Sequence, residues 1–181
     1  MNSLAQGNAA GRLGWPGTMG LMLVSGLLPF AVHLVPWNGP RELGAYLLPA
    51  FWMALVAVHR GGLPTALLVA LVTPALNLAL TGLPAASWIG PMTFELTLFV
   101  LVCSTLWQHW PGFWLAGPAA YLLAKAGTIG LWWAVPWLGY HREPLAHLAE
   151  SVTRALPGLA VLVIITVRLG NRPPERNRDE V

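Results

Sequence analysis

Two side chains that are fully charged at neutral pH sit inside apolar stretches: Glu95 in TFELTLFVLV and Lys125 in YLLAKAGTIG. A charge at the middle of a membrane helix costs about 3 kcal/mol on insertion scales, so each is expected to face a partner or a wet cavity rather than lipid. Counted from the outer ends of their helices at 1.5 Å per residue, they lie roughly 11 and 15 Å deep. At those depths they either meet or line one cavity open to the outer face.

Their neighbours fit a cavity. Tyr121, Lys125, Thr128 and Trp132 are spaced i, i+4, i+7, i+11 and form one helical stripe, while Thr73, Asn77 and Thr81 form another at i, i+4, i+8. Met92, Glu95 and Phe99 share a third face. Apolar and aromatic walls with a few convergent polar groups are how small-molecule sites are built. The candidate substrate-binding residues are therefore Asn77, Thr81, Trp88, Met92, Glu95, Tyr121, Lys125, Thr128 and Trp132. Two plainer roles stand beside this one. Asn and Thr in membrane helices serve as interhelical glue, and a Glu–Lys pair can be purely structural, although desolvation offsets much of its attraction.

Other chemistry finds little support. His141 and His147, with Glu143 and Glu150 nearby, do not have the i, i+4 spacing of a metal-ligand pair on a helix, so no metal or other cofactor is expected. His33 lies near the outer end of its helix and can reach the cavity; His59 and His109 fall at the opposite end. No nucleophile elbow, phosphate-binding loop or zinc-protease motif occurs, and no catalytic activity is expected. The single cysteine, Cys103, excludes an intramolecular disulfide and any CxxC motif.

The elements that must position these groups follow from composition. Of 181 residues, 56% are hydrophobic and 9% charged, with mean hydropathy +0.60; a soluble domain carries about 25% charged residues. Several apolar runs have the ~20-residue length that crosses a ~30 Å hydrocarbon core, and no ten-residue alternation suggests a barrel. The expected fold is an all-α polytopic membrane protein. Its six spans are about 17–35, 43–58, 63–80, 88–107, 113–135 and 151–169. Pro64 starts the third and Pro74 is expected to kink it. A polar segment 1–16 precedes a six-helix transmembrane domain, 17–170, and a basic tail, 171–181, follows. Residues 136–150 read as an outer loop with a short amphipathic piece.

Six spans place both termini on one side. Arg12, Arg60, Arg168, Arg172, Arg176 and Arg178 share that side against Arg41 and Arg142 opposite, so both termini are expected in the cytoplasm. This explains the net charge of +3 without nucleic acid as a partner. Of the ten tryptophans, Trp37, Trp88, Trp107, Trp110, Trp114 and Trp137 fall at span ends, as an interfacial belt does. Ala116, Ala120 and Ala124 form a small-residue stripe suited to close helix packing, inside the bundle or against another membrane subunit.

The run PALNLALTGLP followed by GPMTFEL resembles the substrate-binding S components of energy-coupling factor (ECF) vitamin transporters, the pantothenate type and its relatives most closely. The matching residues are Pro74, Asn77, Thr81, Gly82, Pro84, Pro91, Met92, Glu95 and Leu96. Leu156-Pro157-Gly158 resembles the start of the family's last span, and the likeness covers about residues 45–170. The resemblance implies a multi-pass subunit of the inner (cytoplasmic) membrane, built as an S-component bundle. It would capture a vitamin or related metabolite near the outer surface and pass it to a transmembrane coupling subunit and two ATPase subunits. The other reading is a structural or scaffold protein of the cell envelope with no small-molecule ligand.

Overall fold

The structure, a computed structural model, describes residues 14–40, 42–135 and 144–170. The expected polar segment up to residue 13, Arg41, the loop residues 136–143 and the basic tail lie outside them. Among the described residues there are helices and no strands: α1 (Trp15–His33), α2 (Leu43–Leu47), α3 (Pro49–Thr81), α4 (Ile89–His109), α5 (Ala116–Ala134) and α6 (Pro144–Gly170), with a single 3-10 turn, Ala86–Trp88, before α4.

Among the described residues, four stretches are long and apolar enough to cross a membrane: Trp15–His33, Pro49–Thr81, Ala86–His109 and Leu145–Gly170. Leu23, Leu27, Leu71, Leu101, Leu123 and Ile164 point outward from helices. A belt of this kind is an aggregation hazard in water and the ordinary surface of a protein dissolved in lipid. The interior is built from small residues: Ala54, Ala57, Ala66, Ala70, Ala116, Ala120 and Ala124 are fully buried. The alanine stripe on α5 thus packs inside the bundle and offers no outward docking face.

Helix α3 has 33 residues, and Gly62 inside it has φ 73° and ψ −176°. A straight helix of that length would hold its ends roughly 48 Å apart, yet Pro49, Ala50 and Phe51 from one end and Asn77 from the other line the same cavity. The chain therefore reverses at Gly62. The first half descends beside α4, with Phe51 against Phe99 and His59 against Trp107. The second half returns beside α1, joined by Thr18–Thr65 (3.4 Å) and Ser25–Thr73 (2.9 Å) hydroxyl contacts. Such bonds contribute about 0.6 kcal/mol each in membrane helices. Counting both halves of α3 and leaving out the short α2, the described residues form six helical legs that alternate in direction.

Two expectations are corrected. The stretch 43–58 is not one helix: Leu48 takes a left-handed conformation (φ 58°) between α2 and α3. The following Pro49 starts the next helix well. Pro74 lies within α3, whose only non-helical backbone is at Gly62. The last helix begins at Pro144 rather than near 151, because the amphipathic piece 144–150 is continuous with it.

The turn after α3 fixes one edge of the site. Gly82 ends the helix in a left-handed conformation, and the Thr81 hydroxyl receives the Leu83 N–H at 3.0 Å while lying 2.7 Å from the Asn77 carbonyl. A cis Leu83–Pro84 peptide bond follows. On the opposite edge, a Cβ at position 158 would come within 2.8 Å of the Tyr46 and Leu47 carbonyl oxygens. Only glycine lets α6 press this closely on α2.

A charged cavity at one end of the bundle

A cavity of about 350 Å³ opens at one end of the helices. Its size falls near the lower end of the ~300–1,000 Å³ range of small-molecule pockets. Antiparallel α4 and α5 build its principal wall in three layers. In the middle, Lys125 Nζ donates to Glu95 Oε2 at 2.8 Å and lies 2.7 Å from Oε1. Seven residues toward the mouth on each helix, roughly 10 Å away, the Trp88 and Trp132 rings meet edge to face with centroids 6.4 Å apart. Four residues inward, Phe99 and Tyr121 each meet Phe51 of α3 edge to face at 5.1 Å. These aromatic pairs contribute about 1 kcal/mol each beyond area burial and close the floor.

Glu95 and Lys125 look into this space rather than outward. Their side chains retain 11% and 14% exposure, and both line the cavity. The Lys125 ammonium also lies 5.6 Å from the centre of the Tyr121 ring, within cation–π range. A hydrogen bond between two ionised groups is roughly twice as strong as a neutral one. In a low-dielectric bundle, either group without the other would be an uncompensated charge.

Of the residues singled out from sequence, Asn77, Trp88, Met92, Glu95, Tyr121, Lys125 and Trp132 line the cavity. Thr81 and Thr128 do not. The Thr81 hydroxyl is taken up by the turn described above, and Thr128, 1% exposed, lies 2.9 Å from the Ala124 carbonyl. A threonine hydroxyl in a helix readily bonds the carbonyl four residues back, which removes it from the cavity side. Thr73 turns toward α1 for the same reason.

Sequence reasoning missed the wall opposite. His147, Ser151 and Arg154 of α6 line the cavity together with Glu42, Leu48 and Phe51, while His33 reaches it as expected from its place near the helix end. Ser151 Oγ lies 3.3 Å from His147 Nε2, the His147 ring is 5.8 Å from that of Trp132, and Arg154 is paired with Glu150 on its own helix. The spacing i, i+4, i+7 of His147, Ser151 and Arg154 was the available signal, hidden because the first two turns of α6 read as loop.

Among the described residues no group of His, Cys, Asp and Glu side chains converges to hold a metal ion. The arrangement offers ion pairing and aromatic walls. A multi-pass helical membrane bundle with a charged, aromatic-lined cavity at one end is the class this fold and site define. No protein family, curated protein or solved structure matches the chain.

Proposed function

We propose that the protein is a membrane-embedded substrate-binding subunit for uptake of a vitamin or related small metabolite. In this reading six helical legs cross the cytoplasmic membrane, both termini are cytoplasmic, and the cavity opens outward. The ligand passes to an ATP-driven module of a transmembrane coupling subunit and two ATPase subunits, as the resemblance of the Pro74–Leu96 segment to ECF S components implies. The protein itself binds and delivers, without catalysis.

The observation that carries this reading is the placement of Glu95 and Lys125. A purely structural ion pair needs no cavity beside it, because protein interiors pack closely and leave few voids larger than a water molecule. Here the pair is exposed to a cavity walled by aromatic and apolar groups, the composition of a ligand site. The competing scaffold reading draws on the mutual satisfaction of the two groups at 2.7–2.8 Å.

Native mass spectrometry of the detergent-purified full chain separates the two. The expected result is a bound small molecule, lost from the neutral double variant Glu95→Gln/Lys125→Met while the protein remains folded. Retention of the same molecule by that variant would overturn the site. A wild-type chain that holds no ligand, even after incubation with a concentrated metabolite extract, would leave the scaffold reading.

A further inference from the structure

The formal charges around the cavity cancel. Glu42 and Glu95 face it on one hand, Lys125 and Arg154 on the other. In the middle layer, Glu95 and Lys125 are each other's counter-charge, so a charged ligand that reaches them must enter the pair. Its own charge then decides what is left behind.

An anion that takes Lys125 leaves Glu95 beside it without a counter-charge. A cation that takes Glu95 leaves Lys125 in the same position. Both outcomes bury an unpaired charge among aromatic rings, where desolvation is not repaid. A zwitterion leaves neither. Its ammonium meets Glu95, its carboxylate meets Lys125, and one ion pair becomes two with no net charge carried into the bundle. Lys125 has a flexible four-carbon stem that can swing toward the Tyr121 ring, already 5.6 Å from its ammonium, which opens room between the two partners.

We infer that the ligand of this cavity is a small zwitterion of the amino-acid type. Its charged end divides the Glu95–Lys125 pair, and its apolar or aromatic body rests against Phe51, Met92 and the Trp88–Trp132 pair. The inference rests on the binding-subunit reading and narrows it to a substrate class. The volume agrees: about 350 Å³ accommodates a compact metabolite and excludes a dinucleotide.

A matched set of probes tests the charge requirement at constant ring size: L-phenylalanine, the cation phenethylamine and the anion 3-phenylpropionate, added to the full chain in detergent. L-Phenylalanine is expected to raise Tm, with the other two binding at least about tenfold more weakly, the usual loss for one charge-assisted contact. The stabilisation should vanish in Glu95→Gln/Lys125→Met. A co-purifying molecule that is a zwitterion supports the assignment whatever side chain it carries. Equal or stronger stabilisation by phenethylamine or 3-phenylpropionate, or a co-purifying molecule with net charge at neutral pH, overturns the zwitterion and leaves the binding subunit standing. A preparation that retains no small molecule and responds to none of the three probes overturns both.

Discussion

At the residue scale, the pair Glu95–Lys125 makes a stability statement as well as a functional one. Removing one partner leaves the other unpaired in a largely buried site, which costs about 3 kcal/mol when the pair is closed off and less where the cavity admits water. Removing both leaves no charge at all. Glu95→Gln and Lys125→Met are therefore each expected to lower Tm in detergent more than the double variant does, with a coupling of at least about 1 kcal/mol in a double-mutant cycle. Additive losses would mean that the two groups do not interact in the folded protein. That each residue needs a partner was legible in the sequence, because each is alone in an apolar run and its depth can be counted. Thr81 and Thr128 were misread because a hydroxyl on the correct helical stripe can still turn back to its own backbone, a choice that spacing does not record.

At the element scale, the decisive position is Gly62. Its φ of 73° with ψ of −176° falls in a region that is essentially restricted to glycine and costs other residues about 1–3 kcal/mol. A Cβ there would meet no atom within 4 Å, so the penalty is one of backbone alone. Gly62→Ala is expected to destabilise the bundle by that amount, and Gly62→Asn should fare no better, because asparagine tolerates the left-handed helical region and not this extended one. Unfolding in denaturing detergent, followed by circular dichroism, measures the difference. A neutral Gly62→Ala would mean that the reversal does not depend on this backbone conformation. From sequence, His59-Arg60-Gly61-Gly62 reads as the end of a span, and the non-helical backbone of Gly62 falls there. What it does not reveal is that Pro74 is tolerated within a helix while Leu48 is not. Pro74 is fully buried inside the helix, whereas Leu48 takes the left-handed conformation that ends α2.

At the scale of the whole molecule, six alternating legs carry a topological expectation. Reporters fused to residue 1 and to residue 181 should both be active only on the cytoplasmic side, and a cysteine placed at Ser151 in a Cys103→Ser background should react with an impermeant thiol reagent added from outside. Opposite sidedness of the two ends would remove the six-crossing arrangement. Composition alone determined that this chain belongs in a bilayer, because runs of about 20 apolar residues with 9% charge overall have no other stable solvent. It also determined that Glu95 and Lys125 need partners, since the cost of an isolated charge in hydrocarbon does not depend on the fold. Only the tertiary structure decided that they are each other's partners, and that α2, the start of α3 and the first turns of α6 complete the cavity with Ala45, Phe51, His147 and Arg154. Helical periodicity specifies which side chains share a face within one element; which faces meet across the bundle depends on close packing between elements distant in the chain, and no local pattern encodes it.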